Sequence, residues 1–219
     1  RKAAKERLER AAGLSDERCR FVSGGTFHSL AHRVLRSHAD LLGYATTFTI
    51  LDRSDMEEVI RSLVPELGLP KGTPRFPKRG TLASILSKAA NLQQPVDRLM
   101  MEEYGQFLEF LPQITKLGVR YAAYKKTHQM MDYDDLILCL RNLLVENDDV
   151  RRNLNQQYDF VMVDEYQDTN AIQADIVKGL AYDHRNIMVV GDDSQAIYSF
   201  RGANYRNMFD FPQQFPEAE

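Results

Sequence analysis

Two short apolar runs, each ending abruptly in acidic and polar residues, constrain this chain most: FVMVDEYQDTN at 160–170 and IMVVGDDSQAIYSFRGA at 187–203. Phe160 to Val163 is too short for a buried helix and rich enough in β-branched residues for a strand. Ile187 to Val190 reads the same way. Two such strands, stopping in carboxylates, predict the C-terminal edge of a buried parallel sheet. That is the edge at which α/β folds handle phosphates.

Asp164 and Glu165 sit side by side where the first run leaves the core. Adjacent carboxylates at a strand end can divide the work of nucleotide hydrolysis. One helps to hold Mg²⁺, usually through water, and the other orients and deprotonates the attacking water. The plain alternative is an acidic loop that caps a helix beginning at Asn170. The second run bears on this choice, because Gln195 lies just beyond a neighbouring strand end, where an amide can reach a γ-phosphate. Tyr198, Phe200 and Arg201 follow closely, and alternating aromatic and cationic side chains suit base stacking and phosphate contact. Core aromatics with a salt-bridging arginine are the competing account of those three.

The rest of the chain alternates in the same manner at both ends. Residues 2–12 predict a helix ended by Gly13, and Arg20 to Ser23 a short strand. Apolar residues at 27, 30, 31, 34 and 35 predict a helix over 27–37 with one buried face. Thr47 to Leu51 predicts a strand, with Asp52 or Ser54 capping the next helix. Strand signals then vanish until about 130, leaving helices separated by Gly/Pro-rich joints, notably at 67–77. Helices at 132–146, 170–181 and 204–211 interleave with the strands at 160 and 187. Alternation of this kind argues for a parallel sheet. The whole predicts a discontinuous α/β domain, 1–52 with 132–219, interrupted by an all-helical insertion at 53–131.

DEYQDTN followed by VVGDDSQAIYSFRGA resembles motifs II and III of the UvrD/Rep/PcrA-type superfamily 1 DNA helicases. GTFHSLAHRVLR at 25–36 is similar to their motif Ia region, and MDYDDLI at 131–137 to the segment where those chains re-enter the motor domain. The opening RKAAKERLERAAG looks like their early helix, so the resemblance runs through the chain in order. Departures are few: Ser194 and Ala196 stand where Asp and Ser are common, Arg1 where Asn is, and Phe200 where Trp is.

The resemblance implies a RecA-like P-loop NTPase parallel sheet with an inserted helical subdomain. It implies ATP and Mg²⁺ as cofactors, with Asp164 on the metal, Glu165 activating water and Gln195 sensing the γ-phosphate. It implies DNA contact through Thr26, Phe27, His28, Tyr198, Phe200 and Arg201. The partners are single-stranded DNA and its junctions with duplex, and movement runs 3′ to 5′. No G-x-x-x-x-G-K-S/T phosphate cradle occurs in the sequence. In the family that cradle precedes the segment where this chain starts. The expectation is therefore part of a first motor domain, inactive alone. A non-catalytic nucleic-acid-binding scaffold that has lost its phosphate loop is the alternative reading.

Composition narrows the classes. A formal net charge of −3 gives no overall basic field, so nucleic-acid binding must be local. Cys19 and Cys139 lie far apart in sequence, which suits a reducing compartment. No apolar leader or run of ~20 apolar residues appears, and a cytoplasmic protein without a membrane span is expected. Without the resemblance, Thr26 reads as a helix cap and Phe27 as core. His28 and His32 stand one turn apart but lack an evident third metal ligand. Lys71, Arg75, Lys78, Arg79 and Lys88 form a loose basic cluster that is either a solvated surface or a track for duplex phosphates. Asp132, Asp134 and Asp135 read as helix-start carboxylates rather than a cation site.

Overall fold

A computed structural model describes residues 22–69, 75–192 and 206–216. The predicted helix at 2–12 lies outside these residues, as does half of the strand expected at Arg20–Ser23; Val22 and Ser23 are described and form no strand. Helix α1 (Phe27–Ser37) leads to strand β1 (Thr49–Leu51). Four helices follow: α2 (Arg53–Leu63), α3 (Arg79–Asn91), α4 (Val96–Glu103) and α5 (Leu111–Thr127). The chain continues through β2 (Met130–Asp132), α6 (Tyr133–Glu146), α7 (Asp148–Gln157), β3 (Val161–Val163), α8 (Ala171–Leu180), β4 (Ile187–Val189) and α9 (Arg206–Gln214).

Two parallel two-stranded sheets result. In one, β1 pairs with β2, Thr49 opposite Met130 and Leu51 opposite Asp132. In the other, β3 pairs with β4, Val161 opposite Ile187 and Val163 opposite Val189. Strand β2 carries no signal in its own three residues, Met-Met-Asp, and was not foreseen. Its pairing with β1 brings together the two ends of the long helical stretch between them.

The expectation of buried strands needs correction. Along β3 and β4 burial alternates, and Met162 (66% exposed) and Met188 (53% exposed) project from one face of the sheet. Phe160 falls outside the strand and is exposed. No described element covers that face, and the alternate residues Val161, Val163, Ile187 and Val189 are half-buried.

Capping chemistry decides several boundaries. Asp52, Asp132 and Asn170 each cap a helix with a reciprocal box, closed by the side chains of Asp55, Asp135 and Gln173. Thr26 caps α1 by accepting from the Ser29 amide at 3.2 Å. Two main cores lie behind these helices. In one, Ala31, Val34 and Leu35 of α1 meet Leu136 and Leu140 of α6 and Ile172 and Ile176 of α8. The buried members of the other all fall between Met56 and Tyr121. Each fully buried Leu or Ile contributes about 2 kcal/mol, so either core supports its surroundings.

The cores are stitched by buried polar contacts. Lys125, near the end of α5, places Nζ 2.6 Å from Asp132 Oδ2 and 2.6 Å from Asp135 Oδ2. The Tyr121 hydroxyl donates to the same Asp132 oxygen at 2.9 Å. Burial works against the Lys125 ammonium, but Asp135 and Asp132 outweigh it and raise its pKa. One cation faces two carboxylates, and burial together with Asp132 pushes Asp135 up to about 6.

Candidate functional site

Strand β3 ends at Val163, and the next two residues are the predicted carboxylates. Both are exposed. Strand β4 holds their turn at both ends: Val190 N donates to Val163 O at 2.8 Å, and Val190 O accepts from Tyr166 N at 2.9 Å. Asp164 and Glu165 form the loop between those anchors. Asp164 Oδ1 accepts from the Glu165 amide at 3.0 Å. Glu165 adopts a left-handed backbone (φ 52°, ψ 45°), which turns the chain into a short 3₁₀ segment, Tyr166–Asp168.

Behind the turn, Gln167, Thr169 and Asn207 are buried and hydrogen-bonded. Gln167, 1% exposed, donates from Nε2 to Glu165 Oε2 at 2.7 Å and accepts from the Asp192 amide at 3.1 Å. Thr169 Oγ1 donates to Tyr166 O at 2.6 Å. Asn207 of α9 donates to Thr169 O and Oγ1 at 2.9 and 3.1 Å. Tyr166 packs edge-on against Phe211, and burial pushes its phenol up to about 12.

An open cavity of about 680 Å³ lies beside this turn. Its lining includes Thr26, Phe27 and His28 at the start of α1 together with Asp164, Glu165 and Asp168. The structure thus brings the first group of predicted DNA-contacting residues and the predicted carboxylates to one cavity. Asp168 buries Oδ1 without a hydrogen-bond partner among the described residues.

Within that cavity the three α1 residues differ. Thr26 is exposed and already uses its oxygen as a helix cap, leaving the hydroxyl proton for another acceptor. Phe27 is half-buried and packs against two apolar clusters. His28 stands edge-on to Tyr133, ring centroids 5.6 Å apart. Burial lowers its pKa from the ordinary 6.5, and the Asp134 charge partly opposes the shift. Gln195, Tyr198, Phe200 and Arg201 lie outside the described residues.

Other candidates resolve into structural roles. His32 accepts from Arg36 Nε at 3.0 Å. Among the described residues no three His, Cys, Asp or Glu side chains gather as a metal site. Arg79 pairs with Glu58 at 2.7 Å and Lys88 with Glu103 at 2.5 Å, so part of the basic cluster is neutralised within the helical stretch. Cys139 is a free thiol, pushed up to about 11 mainly by burial. No described helix is long and apolar enough to cross a membrane.

Gln167 and the Lys125 cluster were not among the predicted site residues. Gln167 lies inside the DEYQD run, but nothing local says that its amide reaches residue 192. Lys125 sits among the basic residues that end α5 and looks solvated until β2 folds against it.

A family model described as the UvrD/REP helicase N-terminal domain matches residues 1–216. The chain belongs to that family. An ATP-dependent DNA helicase PcrA of Leuconostoc citreum is 37% identical to this UvrD/REP domain over 220 residues, or 99% of the chain and 28% of the relative. Its counterpart in Staphylococcus epidermidis is 33% identical over 218 residues, 100% of the chain and 29% of the relative. A third, from Staphylococcus aureus, is 32% identical over 220 residues, 99% of the chain and 29% of the relative. The UvrD/REP domain described here therefore spans 28–29% of the length of these curated relatives.

Proposed function

We propose that the protein carrying this chain is an ATP-dependent DNA helicase, or a translocase on single-stranded DNA. The chain would form part of its first motor domain. The observation that carries the reading is the pair Asp164 and Glu165, at the end of a parallel strand and anchored by the backbone of the next one. The family and the printed names of its relatives, ATP-dependent DNA helicases, supply the class of reaction.

The proposed motor is RecA-like and discontinuous, 1–52 with 132–219, and 53–131 is an inserted helical subdomain. Support comes from the core confined between Met56 and Tyr121 and from the β1–β2 pairing at its base.

The donor set suits Mg²⁺ and ATP. Asp164 is exposed and keeps an oxygen beyond the one that accepts from Glu165. A Mg²⁺ ion held by one carboxylate takes the rest of its shell from water and phosphate. Bound there, Mg²⁺-ATP would supply the phosphoryl group and offset the negative charge that develops on it. Glu165 accepts the proton of the attacking water, and Gln195 senses the γ-phosphate. Thr26, Phe27 and His28, with Tyr198, Phe200 and Arg201, would face single-stranded DNA near a junction. A 3′-to-5′ direction and a cytoplasmic site of action complete the reading.

The test is Glu165→Gln in the full-length protein. DNA-stimulated ATP hydrolysis should fall by about 10³-fold or more while nucleotide affinity stays within a few-fold. Near-normal hydrolysis by the variant would sink the assignment of Glu165. A full-length wild type that binds DNA yet hydrolyses no ATP would favour a non-catalytic scaffold.

A further inference from the structure

Gln167 is a buried side chain that touches both the carboxylate turn and the loop leaving β4. Its amide is engaged at both ends. Nε2 donates to Glu165 Oε2 at 2.7 Å, and Oε1 accepts from Asp192 N at 3.1 Å. The 190–192 segment therefore grips the carboxylate turn at three points: Val163 O and Tyr166 N through Val190, and Gln167 through Asp192. The first two contacts hold backbone only. The third ends on the side chain assigned to take a proton from water.

Residue 191 adds a steric condition. A Cβ built on Gly191 would lie 2.5 Å from Gln167 Oε1 and 3.0 Å from Met208 Sδ. A side chain at 191 would force the Gln167 amide or the Met208 thioether to shift, and glycine leaves both in place. Gly191 does not adopt the left-handed region, so close approach alone explains glycine here.

We propose that Gln167 is a positioning residue that carries the seating of the 191–192 loop to the Glu165 carboxylate. The proposal rests on the reading of Glu165 as the group that accepts a proton from water. With the loop seated, the amide is oriented by Asp192 N–H, and its own N–H holds Glu165 Oε2, leaving Oε1 to take the proton. When the loop withdraws, Gln167 Oε1 loses its donor in a place closed to water. A buried amide left unpaired is unfavourable, so it turns toward another partner and releases Glu165. The loop continues directly into the residues expected to meet the γ-phosphate and DNA. Gln167 thereby links the position of the 191–192 loop to the chemistry at Glu165.

Four variants of the full-length protein test this: Gln167→Ala, Gln167→Glu, Gly191→Ala and the double variant Gln167→Ala/Gly191→Ala. The readouts are steady-state ATP hydrolysis with single-stranded DNA and, independently of activity, amide hydrogen exchange over 187–192 in the nucleotide-free protein. Thermal melting confirms folding. Gln167→Ala should lower kcat by about 10- to 100-fold, the range expected when a catalytic group is misplaced, with KM for ATP within about twofold. Its 187–192 segment should exchange faster. Gln167→Glu keeps an acceptor for Asp192 and loses the donor to Glu165, so kcat should fall while exchange stays protected.

Gly191→Ala should mimic Gln167→Ala and add little to it in the double variant, because both break one connection. Independent, multiplicative losses in the double variant, or an unchanged kcat in Gln167→Glu, would overturn the relay and leave Gln167 as a brace for the turn. Glu165→Gln separates the two failures. An inactive Glu165→Gln with a multiplicative cycle removes only the relay, whereas an active one removes the reading beneath it.

Discussion

The Asn91 side chain donates to Asp134 Oδ1 across 2.7 Å, tying the last residue of α3 to the first turn of α6. Asn170, which caps α8 directly after the carboxylate turn, donates in turn to Asn91 Oδ1 at 3.3 Å. Asn91 thus connects the helical stretch before β2 both to α6 and, through Asn170, to the end of DEYQDTN. Burial raises the pKa of Asp134, while hydrogen bonds from Ser87 and Asn91 oppose the shift. Asn91→Ala should therefore destabilise the fold by about 1 kcal/mol, because a half-buried carboxylate loses a donor. Urea unfolding reads this directly. A midpoint equal to wild type would show that solvent replaces the bond.

Lys125 holds a larger share of the same junction. With its side chain 9% exposed and Asp132 7% exposed, removal of the ammonium leaves two close carboxylates with no buried cation. Lys125→Met should cost about 3–5 kcal/mol, the range for breaking one side of a buried ion pair. Adding Asp135→Asn to that variant should recover part of the loss. Thermal denaturation at pH 7 distinguishes this from a surface pair, for which neither change would register.

The pH dependence has a definite sign. Burial, joined by the Asp132 charge, pushes Asp135 up to about 6 from 3.8, against the pull of Lys125. A carboxyl with a raised pKa stays protonated in the folded state over a window in which the unfolded chain has ionised. Its contribution is therefore present below 3.8 and lost as pH rises through about 6, and linkage limits it to at most about 3 kcal/mol. Asp135→Asn, which keeps an oxygen for the capping box, should flatten the stability profile across that window. An identical slope in the variant would reassign it to another group.

His28 runs the other way. Burial holds its imidazole neutral below the ordinary 6.5, and Asp134 only partly offsets this. As pH falls below 6.5 the unfolded chain takes up the proton first, so stability present above that value is lost on acidification. The His28 ring should titrate below 6.5 by NMR, and Asp134→Asn should move it lower still. A midpoint at or above 6.5 contradicts the burial argument.

The sequence made the local elements legible where one rule dominated. Helix α1 matches its 27–37 spacing residue for residue, and Asp52, Asp132 and Asn170 announce helices through capping chemistry. Strands β3 and β4 are readable from their β-branched runs, though Phe160 lies outside β3 and Val190 outside β4. Strand β2 was not readable, because Met-Met-Asp becomes a strand only through its pairing with β1. The same holds for the site. Asp164 and Glu165 stand where a strand ends and could be named from the chain alone. Gln167 required knowledge of residue 192, and Lys125 knowledge of residues 132 and 135, contacts that no spacing rule encodes.

Glu165 occupies a backbone conformation that glycine tolerates and other residues adopt at a cost of about 1–2 kcal/mol. The residue assigned the proton transfer is therefore also one at which the chain is locally frustrated. Selection for stability alone would replace it, and selection for turnover would keep it. The two pressures oppose each other at this position, and a protein evolved for heat resistance without a demand for hydrolysis would be expected to lose its activity here early.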